Sequence, residues 1–239
     1  MATKKSSINI ACATCGSRKD SLFGNLCGED LDALSDGKSC VTYKKGQTLF
    51  YEGTRPMGLF CINSGKVKVY KMGSQGREQI VRLSSSGDFL GYRALLGEEF
   101  YSASATVLED AAICFIPKNN FLELLRTNPA FFSSLTKSIC HELGVMEEQM
   151  AMLAQKSVRE RLATTLIMLK ETYGVEGEES MLIDIALSRE DIANIVGTAT
   201  ETVIRLLSDF KSSSLIAFEG KKIRVLDAKG LVREADFYK

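Results

Sequence analysis

The chain has no excess of either charge: 30 basic residues stand against 30 acidic ones among its 239 residues. That balance argues against a partner held by bulk charge, although a local cluster can still bind a polyanion. No stretch approaches the eighteen or so apolar residues of a membrane span. The opening "MATKKSSINIACATC" lacks the apolar core of a signal peptide. The expected location is the cytoplasm, with no membrane partner. The seven cysteines are odd in number and lack disulfide-scaffold spacing. A reducing compartment would keep them as thiols or metal ligands. Histidine occurs once, and no Ser/His/Asp set, phosphate loop or paired-carboxylate site is present. Nothing in the residues suggests an enzyme. What is present, 45% apolar and 25% charged residues, is the composition of a soluble globular chain long enough for two domains.

From about Val41 to Ile116, short β-branched and aromatic runs such as "TLFYEG", "LFCINSG" and "KVKVYKMG" alternate with glycines at 46, 53, 65, 73, 76, 87 and 91. Antiparallel strands joined by tight turns that need φ > 0 have this punctuation. Four elements, Gly46-Gln-Thr-Leu-Phe, Glu52-Gly53, Leu59-Phe-Cys-Ile-Asn-Ser-Gly65-Lys-Val-Lys-Val and Ser86-Gly87-Asp88-Phe-Leu-Gly91, together resemble the β-roll of the CRP/FNR family of bacterial regulators.

Beyond "FLELLRTNP", residues Phe132, Leu135, Ile139, Leu143, Met146, Met150 and Leu153 recur at intervals of three or four and lay an apolar stripe along one helix face. Such a stripe packs either on its own domain or against a second chain. Polar flanks at Lys137, Glu142, Glu147 and Glu148 leave little else to bury, which favours a two-chain seam. A helix of this size spans roughly 35–40 Å, a length suited to a dimer axis. His141 lies off the stripe and reads as solvated. The resemblance continues through "NPAFFSSLTKSICHELGV" and implies a dimerisation helix here, hence a homodimer.

A second helix, "SVRERLATTLIMLKETYG", is expected to close at Gly174 as its C-terminal cap, followed by an acidic loop, "VEGEES". Ser188 can cap a helix whose Ile192, Ile195 and Val196 share one side, and Gly197 stops it. A further helix starts near Thr198 to Thr200, with Val203, Leu206, Leu207 and Phe210 facing inward. Two short helices joined by a glycine turn make a helix-turn-helix, and the "EGKK" hairpin supplies a wing. Thr200, Glu201, Ile204 and Arg205 are left on the outer face. Locally, "TATE" can also be a capping box and Glu201 with Arg205 an i,i+4 surface pair. "LSREDIANIVGTATETVIRLL" resembles the family's helix-turn-helix along its whole length. The resemblance implies double-stranded DNA as ligand, Glu201 and Arg205 as readers of a G·C pair, Ser188, Arg189 and Thr202 as phosphate contacts, and RNA polymerase as a further partner. The chemistry suits that role: arginine donates to guanine O6 and N7, and glutamate accepts from cytosine N4. Two positions depart from the family, Ile204 where FNR-type readers carry serine and Thr200 where CRP-type readers carry arginine. Isoleucine offers only apolar contact and suits a thymine methyl. Residues 156–239 hold 13 basic and 14 acidic side chains. Affinity must therefore rest on the placement of Arg189, Arg205, Lys211, Lys221, Lys222 and Arg224.

Cyclic-nucleotide members of the family carry Gly-Glu-x-x-Leu and, further on, Arg-Ser/Thr-Ala, whose glutamate and arginine hold the ribose and the phosphate. The matching stretches are Gly91-Tyr92-Arg93-Ala94-Leu95 and Tyr101-Ser102-Ala103, without either charge. The polar pair expected on the long helix is replaced by Met146 and Glu147. A buried phosphate without a cation is costly, which argues against cAMP unless Arg93 takes that role. The FNR-like iron–sulfur members hold their cluster on N-terminal cysteines plus one on a late strand. Cys12, Cys15 and Cys114 match three of those positions; the fourth is Ser21, and Cys27 is the nearest spare. The resemblance thus makes Cys12, Cys15, Cys27 and Cys114 candidate ligands of an iron–sulfur cluster. The CxxC pair alone suits zinc or thiol redox chemistry equally. Cys61 and Cys140 sit in apolar runs and read as small core residues.

The expected fold is α+β: an N-terminal cysteine arm over residues 1–27, an antiparallel β-roll sensor domain over 28–128, a dimerisation helix over 129–155 and a winged helix-turn-helix domain over 156–239. The expected function is a homodimeric regulator that reads an inverted-repeat site and responds to a signal in the N-terminal domain. Alternatives are a regulator that answers another small ligand or carries no cofactor, and an interaction module whose helices contact protein. A thiol oxidoreductase using Cys12 and Cys15 lacks the βαβ context of such motifs.

Overall fold

The computed structural model describes residues 7–8, 10–19, 21–74, 76–176 and 181–236. Residues 177–180 of the expected acidic loop lie outside them. The chain divides into two compact units, Met1–Met72 with Val81–Glu142, and Gly73–Ile80 with Leu143–Lys239. Among the described residues no helix is long and apolar enough to cross a membrane.

The N-terminal part begins with β1 (Ser7–Ile8), two 3-10 turns (Cys12–Thr14 and Gly16–Arg18) and α1 (Gly28–Gly37). Then come β2 (Ser39–Tyr43), β3 (Thr48–Phe50), β4 (Gly58–Ser64), β5 (Val67–Met72), β6 (Glu78–Ser84), β7 (Phe89–Leu90), α2 (Tyr92–Leu96), β8 (Ser104–Val107), β9 (Ala111–Pro117) and α3 (Lys118–Thr127). The strands form two sheets of order β1-β2-β9-β4-β7 and β3-β8-β5-β6, with antiparallel pairings. Alternate residues of β4 and β9 serve two cores. Phe60, Ile62 and Ile113 pack with Val67, Ala105 and Val107 of the second sheet. Leu59 and Ile116 point the other way, onto Phe23, Leu34, Phe121 and Phe131 of the arm and helices. Burial on both faces explains why β4 and β9 read as near-continuous apolar runs. Six of the seven expected turn glycines have positive φ; at Gly65 (φ 91°) an added Cβ would also lie 2.5 Å from that of Ala111. Gly73 is the exception, since its φ is not positive.

α4 spans Pro129–Gln155. Its exposed large apolar residues are Phe132, Ile139, Leu143, Val145, Met146, Met150 and Leu153, of which Val145 lies off the expected stripe. Leu135 departs from the expected seam: it is 2% exposed and packs beside Phe121 and Phe131 in its own core, because the first turns of α4 cover the β-roll. Cys140 is exposed rather than a core residue, whereas Cys61 is half-buried against the helical core. Glu142, expected as a solvated flank, is engaged by Arg82 and Tyr92.

The C-terminal part comprises α5 (Val158–Tyr173), β10 (Gly174–Glu176), β11 (Met181–Ile183), α6 (Arg189–Val196), α7 (Thr200–Ser212), β12 (Ile216–Glu219), β13 (Lys222–Val225) and α8 (Ala228–Glu234), with sheet order β10-β11-β13-β12. Ser157 and Glu160 close a capping box at the start of α5. Gly174 is not the left-handed cap expected of it: its φ is −73° and the chain passes directly into β10. Close approach explains the glycine, since a Cβ there would lie 2.2 Å from the Lys170 carbonyl oxygen.

Candidate nucleic-acid interface and sensor site

Ser188 accepts from the Asp191 amide at 2.9 Å, and Asp191 accepts from the Ser188 amide at 3.1 Å, so α6 starts on a full capping box. It ends at Gly197 in the left-handed region (φ 73°, ψ 51°), with the Gly197 amide donating to Ala193. Ile192, Ala193 and Val196 are buried in α6, while Ile195 is only half-buried. Arg161 on α5 also fastens the break: its Nε donates to the Val196 carbonyl at 2.9 Å and its Nη2 to that of Gly197 at 3.3 Å. These carbonyls have no partner within α6, which is why an arginine fork suits them. Sequence reasoning missed Arg161, because nothing local to "SVRERL" shows which carbonyls it meets.

α7 starts at Thr200 with Ala199 as N-cap and no side-chain capping bond, so "TATE" is not a capping box. Val203, Leu206, Leu207 and Phe210 are buried, as the pattern predicts. Glu201 and Arg205 are exposed and Ile204 is 52% exposed, with Thr200 and Thr202 at the margin. Among the described residues Glu201 and Arg205 form no ion pair with each other or with a neighbour. The i,i+4 bridge is therefore not made, and a carboxylate, a guanidinium and an apolar tip share one solvent face.

The flanking cations differ among themselves. Arg189 lies with its guanidinium carbon 4.4 Å from the centre of the Phe218 ring, and Lys211 approaches the same ring at 5.5 Å. The Nη1 of Arg189 has no hydrogen-bond partner among the described residues, and desolvation lowers its pKa. In the wing, whose turn places Gly220 at φ 58°, Lys222 pairs with Asp184, and Arg224 with Glu219 at 2.5 Å. Their charges are already compensated. Among the described residues Arg189, Arg205, Lys211 and Lys221 carry no ion pair.

In the β-roll, Tyr92 and Tyr101 occupy the positions at which cyclic-nucleotide members hold their carboxylate and arginine. Both are buried. Tyr101 stacks on Phe50 with ring centres 4.0 Å apart. The Tyr92 hydroxyl donates to Glu142 of α4, which also accepts from Arg82 at 2.8 Å. Burial, with the Glu142 hydrogen bond, pushes Tyr92 up to about 12, and burial does the same to Tyr101. Arg93 faces Glu99 at 3.3 Å and Ser102, so it is not aimed at a buried anion.

The cysteines are arranged otherwise than the proposed ligand set requires. Cys12, Cys15 and Cys114 line one cavity of about 40 Å³, and the fourth cysteine there is Cys61, not Cys27. Cys27 is exposed at the N-cap of α1. Cys114 is bonded to Cys40 in a disulfide between β2 and β9. The Ser21 hydroxyl, at the family's remaining ligand position, donates to the Arg18 carbonyl. Among the described residues no group of three His, Cys, Asp or Glu side chains is placed to hold a metal ion. Cys12, Cys15, Cys27 and Cys114 as they stand do not fit an iron–sulfur cluster.

Residues 40–128 match the model of the cyclic nucleotide-binding domain, and residues 160–234 that of the Crp-like helix-turn-helix domain. The transcriptional activator protein FnrA of Stutzerimonas stutzeri is 31% identical over 89% of this chain and 90% of its own length. The fumarate and nitrate reduction regulatory protein of Vibrio cholerae is 30% identical over 87% of this chain and 82% of its own. Among solved structures, FixK2 from Bradyrhizobium japonicum shares the fold at a TM-score of 0.73 with 22% identity, covering 84% of this chain and 99% of that one. The chain belongs to the CRP/FNR family of transcription regulators, with a β-roll built on the cyclic-nucleotide-binding plan and a helix-turn-helix that binds DNA, and it is not an enzyme.

Proposed function

We propose that the protein is a cytoplasmic homodimeric regulator that reads an inverted-repeat DNA site with α7. The observation that carries this reading is the outer face of α7. Glu201, Ile204 and Arg205 stand exposed and unpaired, held by a helix whose other side is buried and whose start is fixed by Gly197 and Arg161. A guanidinium beside a carboxylate matches the acceptors of guanine and the donor of cytosine, and Ile204 suits a thymine methyl. Ser188, Arg189 and Thr202 are the proposed phosphate contacts. The stack on Phe218, which holds Arg189 beside Ser188 at the start of α6, supports that role. The exposed stripe from Phe132 to Leu153 is the proposed seam, here without Leu135. Two copies then present two recognition helices, as an inverted repeat demands. RNA polymerase is the further partner the family implies.

The proposed signal enters through the N-terminal unit. cAMP is not proposed as effector, because two aromatic residues stand where its charged contacts would be. An iron–sulfur effector would require Cys27 to enter the cavity and the Cys40–Cys114 bond to open. Selection of binding sites from random duplexes tests the reading. The recovered sites should be inverted repeats with a TGA-like core in each half, bound with a steep salt dependence. Sites without a shared G·C pair would refute the assignment of Glu201 and Arg205.

A further inference from the structure

Five of the seven cysteines converge on one face of the first sheet. Strand register sets Cys114 opposite both Cys40 on β2 and Cys61 on β4. In-register neighbours point to the same side of a sheet, and here that side is covered by the arm that carries Cys12 and Cys15. The five do not share one environment. Cys61 lies half-buried on β4, against the helical core. Cys15 is half-buried at the edge of the cavity. Its sulfur accepts from Asn63 Nδ2 at 3.2 Å and lies 3.1 Å from the Ser17 hydroxyl. Cys114 opens onto the same cavity, whereas its partner Cys40 does not line it.

We propose that this cavity is a thiol–disulfide exchange site, in which Cys15 is the attacking sulfur, Cys40–Cys114 the reversible disulfide, and a low-molecular-weight thiol or disulfide the substrate. Cys15 attacks Sγ of Cys114, a Cys15–Cys114 bond forms, and Cys40 leaves as thiolate and takes a proton from solvent. No electrons have entered at this point; the crosslink has moved from strand–strand to arm–strand. An external thiol then attacks Sγ of Cys15 and expels Cys114, and a second thiol frees Cys15. The sum is two external thiols oxidised to their disulfide and two protein thiols formed. A low-molecular-weight disulfide drives the reverse. A disulfide in a chain expected to sit in a reducing compartment is of the transient or sensing kind, which suits this use. The inference concerns the arm and the β-roll alone and does not depend on which DNA sequence is read.

Differential alkylation with peptide mass spectrometry tests it on the full-length protein equilibrated in glutathione buffers of graded ratio. The expected result is a single two-electron transition, with a peptide joining Cys40 to Cys114 on the oxidised side. Cys15→Ser and Cys15→Ala should each slow reduction by at least about tenfold without moving the midpoint, whereas Cys27→Ser should change neither. In Cys40→Ser, oxidation should trap a Cys15–Cys114 bond. Alkylation of Cys40 and Cys114 at every ratio, wild-type reduction rates in both Cys15 variants, or stoichiometric iron in anaerobically purified protein would overturn the proposal. A gel shift on the fully reduced protein reports separately on DNA binding, so either reading can fail alone.

Discussion

Glu201 and Arg205 carry opposite charges one turn apart on α7, yet no bridge joins them. In an isolated helix such a pair would contribute only about 0.2–0.5 kcal/mol. A bidentate contact to the right base is worth about 1–3 kcal/mol of discrimination, so the stronger interaction is the one left for DNA. Arg205→Ala should cost about 1–3 kcal/mol of affinity and relax preference at one base pair per half-site, measured by competition among singly substituted duplexes. Lys221 is a contrasting case. It stands at the tip of the wing without an ion pair among the described residues, and Lys221→Ala should weaken all sequences alike and lower the salt slope by about one. Lys222, already held by Asp184, should matter less than Lys221.

At the scale of elements, α4 combines two surfaces. Phe131 and Leu135 anchor its first turns in the β-roll core, and a line of apolar residues from Phe132 to Leu153 stays exposed, Met150 at 69%. Leu143→Glu with Met150→Glu removes no core contact within one chain, so the melting of the single chain should be unchanged. Sedimentation should show monomers, and affinity for a two-half-site duplex should fall to that of one half. Persistence of the dimer would move the seam elsewhere. The helices and their inward faces were legible in the sequence because a 3.6-residue period is a local property, and α7 met it at Val203, Leu206, Leu207 and Phe210. The double-sided burial of β4 and β9 was less legible, since a run of apolar residues does not say which faces are covered. The convergence of Cys40, Cys61 and Cys114 could not be read at all: it arises from strand register between segments 53 and 74 residues apart, which no spacing motif encodes. Leu135 fell within the seam pattern because spacing alone cannot tell which turns of a long helix cover its own domain.

At the scale of the whole molecule, the two units should respond differently to alkali. Tyr92 and Tyr101 belong to the first unit, and both are pushed up from 10.0 to about 12. Below pH 10 these phenols are protonated in the folded and the unfolded chain alike, and their contribution is complete. Between pH 10 and 12 the unfolded chain loses protons that the folded chain keeps, so stability falls as pH rises. Calorimetry across this range should show the melting of the first unit dropping faster than that of the second, and Tyr92→Phe with Tyr101→Phe should flatten the difference. The same tyrosines have an optical consequence. The chain holds seven tyrosines and no tryptophan, so its intrinsic emission comes from phenols alone. A phenol that donates to a carboxylate is quenched, because its excited state gives up the proton, and Tyr92 donates to Glu142 of α4. Emission should therefore brighten when Glu142 leaves Tyr92 and should lose that response in Tyr92→Phe, which gives the protein an internal light gauge of whether its long helix still grips the β-roll.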